Sequence, residues 1–212
     1  MFSLRNVPSY DQRSLALIEA FLLGDSSGGI RLRPREEIER AMESGLCLEI
    51  SRDGAICGCS LIYKFDTWPG GPVYAEMGSM LVTARPYSLQ WFLAAFHLFQ
   101  IYLEEFDSNP SEIFAVVAAR SASEHNLRDK AGLVGMAPPA ALQVIRAGRG
   151  LAFAPDKPVL FAKAESFDRA FADLRSWHEK GRVFRTPKGG ERIEIEVEWF
   201  LPELLDLLGG GK

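Results

Sequence analysis

ERAMESGLCLEISRDGAICGCSLI, residues 39–62, is the stretch on which the fold turns. ERAMES closes a helical segment that ends at Gly45. Two apolar runs follow, LCLEI (46–50) and AICGCSLIYKF (55–65), separated by Ser51-Arg52-Asp53-Gly54. An Asp-Gly pair between such runs accepts the positive φ of a tight turn, so the spacing predicts an antiparallel hairpin. Upstream, FSLRNV (2–7) alternates as a strand and Pro8-Ser9-Tyr10 break it. Asp11 to Leu23 then carries a helical stripe of Leu15, Leu17, Ile18, Phe21 and Leu22, ended by Gly24. Pro34 opens the next helix, REEIERAMESG, whose acidic first turn suits the positive end of a helix dipole.

Downstream of the hairpin, the loop TWPGGP leads to a strand from Val73 to Val82 and a long helix from Pro86 to Glu105. Trp91, Phe92, Phe96, Phe99 and Tyr102 recur there at spacings of three and four, a core stripe first and an acyl or acceptor pocket lining second. Strand EIFAVVA (112–118) precedes a helix from Ser121 to Lys130, ended by Gly132. From Pro138 the texture changes, because ALQVIRAGRGLAFAPDKP is loop-rich. Strand VLFAKA, helix SFDRAFADLRSWHEKG, strand RVFRT, turn PKGGE, strand RIEIEVEWF and helix LPELLDLL follow. Residues 1–137 therefore read as the main unit and 138–212 as a C-terminal extension. In RIEIEVEWF, Ile193, Ile195, Val197 and Trp199 share one face and Glu194, Glu196 and Glu198 the other, a half-buried strand with a solvated acidic side.

At 212 residues the chain holds one domain plus an extension. A make-up of 47% hydrophobic, 25% charged and 11% aromatic residues is that of a globular protein and excludes disorder or collagen-like repeats. The 24 basic and 28 acidic residues leave −4, which argues against a duplex nucleic acid as partner. No apolar run approaches the roughly 18 to 20 residues of a membrane span, and MFSLRNVPSYDQR lacks the basic-then-apolar order of a secretory signal. Three cysteines, Cys47, Cys57 and Cys59, suit reduced thiols and a cytoplasmic protein. Cys57 and Cys59 should share a strand face. Without a second pair or a histidine cluster they read as small buried residues, and no metal is expected. His97, His125 and His178 fall in different helices and spell no zinc motif.

The order strand, helix, helix, hairpin, strand, long helix, strand, helix resembles that of the GNAT-type N-acetyltransferases over residues 1–137. Three pieces carry the likeness: residues 39–62 as a helix, strand, D-G turn and glycine-bearing strand; YAEMGSMLV (74–82) as an acid-then-apolar strand; and SASEHNLRDKAGLVG (121–135) as a helix ending in Lys, any residue, Gly and an apolar residue. The resemblance implies an α/β fold, with a mixed, mostly antiparallel central sheet flanked by helices. It implies acetyl-CoA or another acyl-CoA as co-substrate, and a small-molecule or peptide amine as acceptor.

Within that resemblance, the backbone of Met80, Leu81 and Val82 would pair with the pantetheine arm. VTARPYSLQWFLAAF stands where the family has a glycine-rich pyrophosphate loop and a helix N-terminus, yet it has no glycine between Val82 and Phe96. Either Arg85 takes the family's arginine position with a shortened loop, or Tyr87 takes it without a gap. Both alignments put Ser88 and Gln90 at glycine positions, where they could add donors to the helix N–H groups. Glu76 is the candidate base, since burial among apolar neighbours would raise its pKa toward neutrality; the alternative is a solvated glutamate. Ser121 holds the family's asparagine position and Arg128 its tyrosine acid position, where a guanidinium cannot donate a proton at neutral pH. Tyr87, His97 and His125 are the other donors close by in sequence. Three functions stay open: direct acyl transfer in a ternary complex; a non-catalytic protein of the same fold that binds a partner in the cleft or forms a homodimer through its extension; or a sensor for which a bound CoA or other nucleotide is the signal.

Overall fold

The structure is a computed structural model that describes residues 1–7, 12–24, 33–83, 88–103, 112–188 and 191–198. The Asp-Gly hairpin forms as its sequence dictates: Asp53 and Gly54 both take positive φ, 53° and 82°, between β2 (Cys47–Arg52) and β3 (Ala55–Asp66). β1 (Phe2–Asn6) pairs antiparallel with β2, and β4 (Val73–Val82) antiparallel with β3. β5 (Ile113–Val116) then lies parallel to β4, β7 (Val159–Phe161) antiparallel to β5, and β6 (Val134–Gly135) at that edge. At the other edge β10 (Glu191–Val197) runs parallel to β1, followed by β9 (Val183–Lys188) and β8 (His178–Lys180). The described residues thus form a ten-stranded sheet in the order β6-β7-β5-β4-β3-β2-β1-β10-β9-β8.

Helices cover both faces of the sheet, and strand alternation divides its side chains between two cores. Leu48, Ile50, Ile62, Met77, Ile195 and Val197 meet α3 (Ser88–Leu103) and α6 (Ala164–Trp177) on one face. Cys47, Cys59, Leu61, Tyr63 and Phe65 meet α1 (Gln12–Leu23), α2 (Arg35–Glu43) and α5 (Ala140–Gly148) on the other. The aromatic stripe on α3 is core: Trp91, Phe92, Phe96 and Phe99 are buried, whereas Tyr102 is partly exposed against Phe167 and Phe171. Each buried ring removes enough apolar surface to favour folding by about 1.5–3 kcal/mol. Phe184 of β9 meets Phe96 at 5.3 Å, and Trp91 Nε1 donates to Asp173 of α6 at 2.5 Å. Residues 138–212 therefore supply β7 to one half of the sheet and β8 to β10 to the other, and share their cores with residues 1–137.

Local expectations change in four places. Residues 140–148, read as loop, form α5: Pro139 caps it, and Leu142 and Arg146 turn inward at helical spacing. Cys57 and Cys59 lie on opposite faces, because Ile50 pairs with Gly58 and Ser51 with Ile56, leaving Cys57 as an extra residue. The helix expected over 121–130 is α4 (Ala122–His125) continued by a π turn, Asn126–Lys130. The end of SFDRAFADLRSWHEKG turns into β8. In β10, Ile193, Ile195 and Val197 are buried and Glu194 exposed, as the alternation requires. Trp199, the helix LPELLDLL and the terminal GGGK lie outside the described residues. Among the described residues no helix is long and apolar enough to cross a membrane, and no cluster of three metal-binding side chains occurs.

Candidate active site where β4 and β5 part

β4 follows β3 from Val73 opposite Asp66 to Val82 opposite Gly58. Its pairing with β5 runs only through Ala75 with Ile113 and Glu76 with Phe114, while the other edge of β5 pairs with β7 through Phe114, Ala115 and Val116. The strands part just beyond Glu76, so the second half of β4 has β3 on one side and an open wedge on the other. Within that half the register slips. Cys59 faces Leu81 and Leu61 faces Gly78, which leaves Ser79 and Met80 together opposite Ser60. This is a β-bulge, and Ser79 stands in the left-handed region at φ 47°. A serine there costs on the order of 1 kcal/mol, so its surroundings must hold it. They do so through a 2.6 Å hydrogen bond between Ser79 Oγ and the Tyr63 hydroxyl, and through the Ser79 carbonyl, which accepts from Cys59 Sγ at 3.7 Å. Gly78 lets the Tyr63 ring lie across the strand, because a Cβ there would stand 2.9 Å from it. Burial pushes the Tyr63 hydroxyl well above its usual range, so it stays protonated.

Glu76 is buried as the base reading requires, but its surroundings are not only apolar. Arg33, just before α2, bonds Oε1, and Arg146 of α5 bonds Oε2. The Arg146 guanidinium lies 4.4 Å from the Phe153 ring centroid and 5.3 Å from that of Phe65, and its Nε donates to the Leu151 carbonyl at 3.1 Å. Arg33 lies 4.7 Å over the Tyr63 ring. Burial lowers the basicity of Arg33, and Tyr63 and Glu37 act against that. With a guanidinium on each oxygen, the charged form of Glu76 is the stabilised one. A carboxylate so held is a weak proton acceptor. Sequence reasoning missed Arg33, Tyr63, Ser79 and Arg146. Of these only Ser79, a polar residue in an apolar strand half, left any trace in the chain.

The remaining expected residues spread around the wedge. Met80 leans on the α3 face and Leu81 on the opposite one, both half-buried, and Val82 is buried. Arg85 and Tyr87 lie outside the described residues; Ser88 begins α3, whose N-terminus follows the open end of β4. Gln90, in the first turn of α3, accepts from Asn126 Nδ2 of the π turn at 3.4 Å. Arg128 is exposed and its Nε donates to Glu124 at 2.8 Å, while Ser121 Oγ accepts from the Glu124 N–H at 3.1 Å. Both serve the helix entrance. His125 is exposed beside Asp129, at 2.5 Å. His97 is fully buried behind the bulge, near Ser60 and Gln100. Neither ring nitrogen makes a well-formed hydrogen bond, and loss of solvent pushes its pKa down to about 4.

No protein-family model and no curated protein matches this chain. Solved structures do, over about three quarters of it. The fold is that of the GNAT acetyltransferases. Arabidopsis thaliana Naa50, in complex with the bisubstrate analogue CoA-Ac-MVNAL, superimposes with a TM-score of 0.53 at 11% identity, over 77% of this chain and 98% of that one. An N-acetyltransferase from Staphylococcus aureus Mu50 gives 0.52 at 10% identity, over 77% and 97%. N-acetylglutamate synthase from Neisseria gonorrhoeae, complexed with coenzyme A and N-acetyl-glutamate, gives 0.52 at 17% identity over 76% of this chain. The chain spans about a third of that synthase, 35% of its length. The GNAT fold is thus mixed, mostly antiparallel and flanked by helices here as the sequence predicted.

Proposed function

We propose that this protein transfers an acyl group from acetyl-CoA, or another acyl-CoA, to a small-molecule or peptide amine inside the wedge between β4 and β5. The bulge at Ser79 and Met80 on a strand half left open by β5 is the observation that carries the reading. An open strand edge with unpaired backbone groups suits an extended amide-bearing arm such as pantetheine, which would run along Met80, Leu81 and Val82. Backbone N–H groups at the bulge would polarise the thioester carbonyl. The stretch from Arg85 through Tyr87 and Ser88 to Gln90 would hold the pyrophosphate, with the N–H groups of α3 supplying donors that need no glycine. The neighbouring structures that contain coenzyme A or a CoA conjugate support an acyl-CoA as co-substrate. Attack is direct: the amine nitrogen bonds the thioester carbon, the carbon–sulfur bond breaks and the thiolate leaves.

In this scheme Glu76 is a positioning residue. Its two guanidinium partners leave the amine to lose its proton to water, directly or by relay, and the thiolate to take one back. The non-catalytic reading draws on the same double pairing and on the missing glycines. Thermal unfolding with excess acetyl-CoA, with adenosine diphosphate as control, separates the two. Ligand at 100 times its dissociation constant stabilises the fold by about 2.7 kcal/mol, a rise of roughly 5–11 °C for a chain of this size. A rise with acetyl-CoA but not the diphosphate, followed by thiol release when amines are added, supports transfer. No rise at millimolar acetyl-CoA refutes it.

A further inference from the structure

The cluster around Glu76 holds more positive charge than Glu76 needs. One guanidinium can satisfy a carboxylate through two parallel hydrogen bonds, yet here Arg33 and Arg146 take one oxygen each. The pair continues outward to Glu37 on α2, which bridges Arg40 at 3.0 Å and Arg149 at 3.5 Å. Among the described residues, four guanidiniums thus meet two carboxylates. Arg33 also has donor capacity to spare. Its side chain is 6% exposed and its Nη1 is buried without a hydrogen-bond partner among the described residues. A buried N–H on a cation is costly to leave unmatched, because it has lost water and gained nothing.

The position of this donor relative to the bulge matters as much as its charge. The Arg33 guanidinium lies 4.7 Å over the Tyr63 ring, whose hydroxyl bonds Ser79 at 2.6 Å, so one aromatic ring links this guanidinium to the bulge. It lies on the α1, α2 and α5 face of the sheet, the face to which Tyr63 and Phe114 belong.

Resting on the acyl-transfer reading, we propose that Arg33 is the anion-recognition residue of the acceptor site, and that the acceptor is an amine carrying a carboxylate. The carboxylate takes the unused Nη1 donor and part of the excess charge, while the amine, a few bonds away, reaches the thioester at the bulge. Arg146 and Glu76 set the plane and height of Arg33 rather than touching the acceptor.

The test uses the full chain and matched acceptors, the common α-amino acids and their carboxamides, with thiol release as the assay. The carboxamide amine is the less basic and hence the more available nucleophile, so a preference for the acid reports recognition. At least one acid should exceed its carboxamide ten-fold in kcat/KM. Arg33→Gln should erase that preference by raising KM for the acid ten-fold or more while acetyl-CoA affinity persists, and Arg33→Lys should restore part of it. Equal use of acids and carboxamides by the unaltered protein overturns the inference and leaves the transfer reading standing. If acetyl-CoA does not bind, the transfer reading fails, and the anion site is judged by titrating N-acetyl-amino acids against their carboxamides while following the Arg33 guanidinium by 15N NMR. A shift with the acids alone supports the site, and none overturns it.

Discussion

His97 offers the sharpest physical test of this structure, because a buried imidazole makes stability depend on pH in a calculable way. The free side chain titrates near 6.5, and the buried one, stripped of solvent on α3, near 4. The folded state binds the proton less readily than the unfolded one. Stability is therefore flat above about pH 6.5 and falls as the pH drops toward about 4. At 1.36 kcal/mol per pH unit the full loss is about 3 kcal/mol, of which about 2.5 has gone by about pH 4.5. Carboxylates also titrate in this range, so the useful quantity is a difference between two proteins. Urea unfolding of the unaltered chain and of His97→Leu, at about pH 7.5 and about pH 4.5, isolates the histidine because the other groups are common to both. The unaltered chain should lose about 2.5 kcal/mol relative to the variant on acidification. A difference that is the same at both pH values would show that His97 is solvated or paired in the folded state, and the burial argument would fail.

Two further outcomes follow from the packing. Glu76→Gln should lower stability by about 3–5 kcal/mol in chemical denaturation, because two buried guanidiniums lose their counter-charge; a loss under about 1 kcal/mol would mean that the pair is solvated. A chain ending at residue 137 should lack a cooperative unfolding transition, since it leaves β5 without β7 and β1 without β10, and exposes the α3 surface that covers Phe184. A sharp transition in such a fragment, followed by circular dichroism, would establish residues 1–137 as an independent unit.

Most of the sheet was legible along the chain, and the reason is local. The Asp-Gly turn, the alternation in FSLRNV and RIEIEVEWF, and the three-and-four spacing on α3 each state a period that only one element satisfies. The order of those elements was enough to suggest the GNAT fold. α5 was harder, because Ala, Gly and Arg surround the few apolar residues that face inward, so its periodicity is faint until Leu142 and Arg146 are seen against the sheet. The bulge that splits Cys57 from Cys59 depends on how β2 and β3 slip past each other, which no single strand encodes.

The site divides along the same line. Glu76 could be singled out from its place in an apolar strand, since residue type and neighbours are properties of the chain. Its partners could not. Arg33 and Arg146 are separated from it by 43 and 70 residues, and nothing in their immediate sequence marks them as buried. Whether a carboxylate is a base or an anchor depends on the charges within a few ångströms of it. Coulomb energy falls with distance through space, while the chain orders residues only along its length. The sequence by itself determined the strands, the turn and the position of the acid. The tertiary structure alone decided that the acid is held by two cations, and that one of those cations keeps a buried donor with no partner among the described residues.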